Sequence, residues 1–247
     1  MFGFRPKLPV TEDERGWVDE GFDRLSRLLG RKRMLDCAAV QPTDEFFPDP
    51  YDETEAALER LFRRVCGFME VDRMRVEFAV IPDSDELVEL LPEYRHASND
   101  VAGLHFGQSS DELPLIGIKA SLVKDPLAAV GTMAHELGHV ILLGGGHLSR
   151  DTEDMEPMTD LVTVFLGLGI FTANASRRFR KFQDDRKHGW SMSRIGYLPE
   201  VVFGYALARF AKERGETKPG WTQHLATNLK TYFWQSAAWL GRESQLS

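Results

Sequence analysis

The sequence predicts an α+β domain that is mainly helical, with a small sheet preceding one long helix that carries two histidines four residues apart. Three observations predict it. Residues 75–81, Arg-Val-Glu-Phe-Ala-Val-Ile, alternate in character and stop at Pro82, as a strand does. Residues 101–106 and 115–120 read as two more strands, separated by the turn-forming Gln108-Ser109-Ser110-Asp111. On either side of them apolar residues recur at every third or fourth position, the spacing of buried helix faces. Finally, Asp125-Pro126 makes an N-cap and a first helical position, and Leu127, Val130, Ala134, Leu137 and Ile141 follow as one apolar face. Gly144-Gly145-Gly146 ends the run.

Taken in order, the chain opens with a capping box, Thr11-Glu12-Asp13-Glu14. The helix behind it has Trp17, Phe22, Leu25, Leu28 and Leu29 as its apolar face and runs to Gly30. Residues 31–50 are expected to be irregular. Pro42, Pro48 and Pro50 favour an extended arm over 41–51, in which Asp44 and Glu45 read as a surface turn more readily than as paired catalytic carboxylates. A helix from about Asp52 to Phe68 is expected to bury Ala57, Leu58, Leu61, Phe62, Val65 and Cys66. Residues 83–100 are acidic and turn-rich. Beyond the histidine helix, Leu161–Phe171 is expected to carry a second site helix into the core. Residues 176–194 read as a basic loop. A helix is expected from Gly196 through Phe210, and a last one, rich in Trp and Phe, over Trp221–Leu240. One domain is expected to span 1–247, with 1–75 as an N-terminal helical layer, 76–175 as the sheet and site helices, and 176–247 as C-terminal helices.

At 247 residues and 43% hydrophobic, the chain is long enough to bury one substantial core. A net charge of −8 without a long basic run argues against a nucleic-acid partner. Arg177-Arg178, Arg180-Lys181 and Arg186-Lys187 cluster only locally, as a solvated face does. Cys37 and Cys66 do not make a disulfide framework; free thiols in apolar surroundings fit a reducing compartment. The N-terminal Met-Phe-Gly-Phe-Arg-Pro-Lys lacks the apolar run of a signal peptide, and Leu161–Phe171, the most hydrophobic stretch, is too short to span a bilayer. A cytoplasmic location without a membrane span is expected.

The chemistry is concentrated in Ala134-His135-Glu136-Leu137-Gly138-His139. His135 and His139 project from one helix face, one turn apart, where two neutral imidazoles can share one zinc ion at about 2.0–2.1 Å each. Glu136 lies one step round, beside the metal, where it can take a proton from a zinc-bound water. Three polar groups within one turn of an apolar helix need partners, and a metal supplies them. A catalytic zinc needs a third protein ligand. The metzincin spacing is absent, because Leu142 and Gly145 stand where it requires glycine and histidine, and His147 falls too close to the helix end. The better candidates begin the next helix: Glu156, with Pro157 in the first turn, and Asp160 four residues on, on the same face. Glu156 as ligand leaves Asp160 to accept a hydrogen bond from a ligand imidazole; Asp160 or Glu153 as ligand remain alternatives.

His-Glu-Leu-Gly-His followed by Glu-x-x-x-Asp resembles the gluzincins, zinc peptidases with two histidines and a glutamate as ligands, over residues 115–171. The short gap between the motifs is most similar to their small intracellular bacterial members. Thr43–Tyr51 and Thr159–Phe171 also resemble an uncharacterised group of bacterial H-E-x-x-H proteins. The resemblance implies a zincin-like fold, one Zn2+ held by His135, His139 and Glu156, Glu136 as general base and Asp160 behind a ligand. It also implies peptide-bond hydrolysis, with an edge strand, residues 115–121 here, adding an extended peptide substrate to the sheet; a central strand with both edges satisfied is the alternative for those residues. Hydrolysis further needs a donor for the developing oxyanion; Tyr197 is preferred over Tyr205, His188 and His224. Two rival expectations stand beside this one: a regulatory binding protein that keeps the fold without proteolysis, and a zinc hydrolase of a non-peptide substrate.

Overall fold

A computed structural model describes residues 7–83, 103–106, 113–144, 146, 148–149, 152–180 and 198–246. Helix α1, Glu12–Leu25, starts at the expected capping box: the Thr11 hydroxyl accepts from Glu14 N at 3.2 Å, and Glu14 Oε2 accepts from Thr11 N at 2.6 Å. The chain continues through a π turn, Ser26–Gly30, to Gly30 at φ 87°. There it restarts as a short helix α2, Arg31–Asp36, where irregular backbone was expected. Gly30 absorbs the break, and the good helix formers after it resume the spiral so that Met34 is buried. Helix α3, Glu55–Phe68, is capped by the Thr54 side chain on Ala57 N and buries the expected stripe from Ala57 to Cys66.

The arm between α2 and α3 turns at residues 43–47, where Phe46 N and Phe47 N both donate to Thr43 O and leave Asp44 and Glu45 exposed. It is pinned to the core by Phe46 and Phe47, edge-on to Phe68, and by the Tyr51 hydroxyl, which donates to Val123 O at 2.7 Å.

Strands β1, Glu77–Ile81, β2, Gly103–Phe106, and β3, Leu115–Lys119, form a sheet in the order β1-β3-β2. β1 runs parallel to β3, with Glu77 opposite Leu115. β2 runs antiparallel to β3, with Phe106 opposite Leu115. This corrects the expectation that residues 115–121 form the exposed edge: 115–119 are the central strand, and 120–121 begin a 3-10 turn, Ala120–Lys124. The reason lies in β3 itself. Ile116, Gly117 and Ile118 are all buried, so the backbone N–H and C=O groups along both edges need partners, and β1 and β2 supply them.

Helix α4, Pro126–Gly144, is the axis of the molecule. Asp125 Oδ1 caps it by accepting from Ala128 N at 3.1 Å. Every residue from Ala128 to His139 is buried, because α4 packs against α3, the sheet, and the two helices that follow it, α5 (Met155–Phe165) and α6 (Gly169–Arg180). The expected start of its apolar face is wrong at one position: Leu127 is 54% exposed, on the solvent side of the first turn. By length and composition α4 is apolar enough to cross a bilayer, and 72% of that stretch is buried inside the protein.

Leu161–Phe171 is not one continuous helix. It breaks at Gly167, φ 84°, where a side chain would also run into Ala38 O. The turn is closed by Leu168 N donating to Thr163 O, and Gly167 O accepts from Val40 N, tying it to the α2–α3 arm. Residues 176–180, expected as loop, continue α6 because Ala173 and Ala175 still pack inward. Helices α7, Glu200–Glu213, and α8, Thr227–Leu246, close the C-terminal third. Trp221 sits not in the last helix but in a 3-10 turn, Gly220–His224, before it. One contiguous apolar core, from Val10 to Leu240, draws on all three thirds of the chain.

Candidate metal centre

Two helices build the site, and the sequence of each explains its contribution. In α4 the spacing of His135 and His139 sets their rings edge-on, centroids 4.9 Å apart at 84°. In α5, Met155, Glu156 and Pro157 are the first three helical positions. An N–H at the third position would have no intrahelical partner, so Pro157 costs no helical hydrogen bond and leaves Glu156 in the first turn. Gly138 lets the helices approach: a Cβ there would lie 2.9 Å from Thr159 Cγ2 and 3.0 Å from Val162 Cγ1.

The approach sets Glu156 Oε2 3.0 Å from His135 Nε2 and 3.4 Å from His139 Nε2. Two donors each 2.0–2.1 Å from one tetrahedral ion are about 3.3 Å apart, so these separations match tetrahedron edges. His135, His139 and Glu156 form a group that could hold a metal ion, its ligand atoms all within 4.8 Å of one another. The side chains of His135 and His139 are 6% and 11% exposed, whereas that of Glu156 is 45% exposed, so one side of the group faces solvent.

Asp160 stands behind His135. Its Oδ1 lies 2.9 Å from His135 Nδ1, and its Oδ2 accepts from Leu198 N at 2.8 Å, which ties the approach to α7 to the centre. His135 thus has a carboxylate against each ring nitrogen. Carboxylates only accept, so the arrangement is satisfied by an imidazolium or by an imidazole with a cation at Nε2. Burial alone lowers the pKa of His135, but Asp160 and Glu156 together outweigh it and raise it well above the ordinary value. Burial likewise raises Glu156, and the two imidazoles overcome that and hold it well below the usual carboxylate range. For Glu136 and Asp160 burial wins, and both are raised. Glu136 is 3% exposed, with both imidazoles and Glu156 as electrostatic neighbours.

Of the candidate ligands, then, His135, His139 and Glu156 come together. Asp160 faces the opposite nitrogen of His135, and Glu153 is exposed. Of the oxyanion candidates, Tyr205 donates its hydroxyl to Asp19 at 3.0 Å, and the His224 ring meets Gln223. Tyr197 and His188, like His147, lie outside the described residues. One contact that motif reading misses is Thr159 Oγ1, 3.2 Å from His139 Nδ1. Its signal is a polar stripe, Glu156, Thr159, Asp160 and Thr163, recurring at helical spacing through an otherwise apolar helix.

No protein-family model, curated protein or solved structure matches the chain.

Proposed function

We propose that this protein is a zinc-dependent metallopeptidase of the gluzincin type, with a zincin-like arrangement of sheet and site helices. The observation that carries the reading is a two-histidine, one-glutamate donor set whose two glutamate-to-imidazole distances match tetrahedral edges, open to solvent on one side, beside the buried carboxylate of Glu136. Closed four-ligand sets are the mark of structural zinc, and three protein ligands with an open position are the mark of catalytic zinc.

His135, His139 and Glu156 would hold the ion, which when bound supplies a water acidified towards a pKa of about 7 and polarises a substrate carbonyl. Asp160 orients His135 by accepting its Nδ1–H. Glu136 moves the proton: its carboxylate accepts one from the attacking water and delivers it to the leaving amine nitrogen. Two free cysteines without a disulfide framework support action in a reducing compartment, and we take the cytoplasm as its location.

Elemental analysis tests the ligand set. About one zinc per chain is expected in wild type, none in His135→Ala or Glu156→Ala, and weakened binding in Asp160→Ala. No zinc in wild type after reconstitution overturns the reading. A peptide-library digest with Glu136→Gln as control tests the activity: cleavage by wild type alone supports the peptidase. A zinc-loaded protein that hydrolyses only non-peptide esters or amides would redirect it.

A further inference from the structure

Asp160 accounts for the ring nitrogen of His135 that faces away from Glu156. The corresponding nitrogen of His139 meets the side chain one residue earlier on α5. Thr159 is fully buried. Its Oγ1 lies 2.8 Å from Met155 O, one turn back in the helix, and 3.2 Å from His139 Nδ1. A hydroxyl has one proton, and a carbonyl oxygen can only accept. The Thr159 proton is therefore committed to Met155 O, and a hydroxyl lone pair faces the imidazole. The contact closes only if His139 Nδ1 carries a hydrogen and donates it. A neutral imidazole protonated at Nδ1 has its free lone pair at Nε2, the nitrogen 3.4 Å from Glu156 Oε2.

We propose that Thr159 is the positioning residue for His139: by accepting the Nδ1–H, it fixes the tautomer and ring orientation that present the Nε2 lone pair to the metal centre. The inference rests on the metal-centre reading for its purpose, but its geometry is independent of that reading. Gly138 is part of the same device. Its missing side chain admits Thr159 to within reach of His139, since a Cβ at 138 would lie 2.9 Å from Thr159 Cγ2 and 3.2 Å from Thr159 O. Thr159 and Asp160 thus set two rings with two chemistries. The carboxylate behind His135 carries charge and makes that imidazole the more basic donor; the hydroxyl behind His139 orients its ring without adding charge.

The experiment is 15N-histidine NMR of the full chain, metal-free and at alkaline pH, on wild type, Thr159→Val and Thr159→Ser, with zinc affinity measured on each by chelator competition. Valine keeps the shape and removes the acceptor; serine restores it. Wild type and Thr159→Ser are expected to show His139 protonated at Nδ1. Thr159→Val is expected to shift His139 towards the Nε2–H form and to lose about 10–100-fold in zinc affinity, with Thr159→Ser recovering most of it. A wild-type His139 protonated at Nε2 overturns the proposal whatever the variants do. So does a Thr159→Val protein with wild-type tautomer and affinity. If wild type takes up no zinc, the metallopeptidase reading fails, and the tautomer in wild type and Thr159→Val still decides the role of Thr159.

Discussion

The α4–α5 pair and the α7–α8 pair are both close-packed through a glycine, and they are built from opposite materials. At Gly138 a side chain would strike Thr159, and at Gly204 it would strike Tyr232 Cβ. Between α7 and α8 the buried groups are large and apolar: Phe203, Phe210 and Phe233, with Trp221 edge-on to Phe233 at 5.3 Å. Among the described residues of those two helices, the buried polar groups are few: Ser236, the Tyr205 hydroxyl and single side-chain atoms of Glu200 and Arg209. Between α4 and α5 the buried groups include His135, Glu136, His139, Thr159 and Asp160. Burying a large apolar side chain stabilises by roughly 1.5–3 kcal/mol, whereas burying ionisable groups costs free energy unless each is paired. The C-terminal pair is built for stability. The central pair is expensive and is explained by what it can bind.

The largest effect expected from breaking this contrast is in turnover. Glu136→Gln should lower kcat by about 10²–10⁴-fold while zinc content stays near that of wild type; peptide hydrolysis assayed beside elemental analysis checks both halves. The counterpart in the other pair, Phe233→Ala, should cost about 3–5 kcal/mol in denaturant unfolding and leave zinc stoichiometry unchanged. The two glycines separate packing from binding. Overpacking should destabilise both Gly138→Ala and Gly204→Ala by about 1–3 kcal/mol, but only Gly138→Ala should also weaken zinc binding in a competition titration.

A smaller effect follows from His135. Its folded-state pKa is raised well above the unfolded value of about 6.5, so the stability it contributes is fully present below that pH and is lost as pH rises through the raised value. The melting temperature of the metal-free protein should fall as pH is raised above about 6.5. Zinc binding should release a proton and tighten over the same range, because the ion takes the place of the Nε2–H. Calorimetry in buffers of different ionisation enthalpy measures that proton. The smallest effect concerns the thiols. Burial pushes Cys37 up to about 11 and Cys66 up to about 12, so little thiolate exists at neutral pH. A disulfide exchange reagent should react slowly with the native protein and rapidly with both cysteines after unfolding.

Much of this molecule is legible in its sequence, for a definite reason. Capping, periodicity and helix-stop signals act within a few residues, so the capping box at Thr11, the buried stripe of α3 and the Asp125–Gly144 helix can be read directly. The pairing of His135 with His139 is equally local, since four residues on a helix fix a separation. What the sequence could not decide depends on how elements meet. Helix position favours Glu156 over Asp160 and Glu153 as the third donor but leaves the alternatives open until the α4–α5 crossing sets Glu156 beside two Nε2 atoms, Asp160 behind His135 and Glu153 in solvent. The place of β3 in the centre of its sheet depends on partners distant in sequence. The role of Thr159 depends on a few tenths of an ångström at Gly138. Local chemistry determined the helices and the two histidines and favoured Glu156 with Asp160 behind a ligand; the choice among the acidic residues, and the place of Thr159 against His139, were decided by interhelical distance, which no short-range pattern encodes.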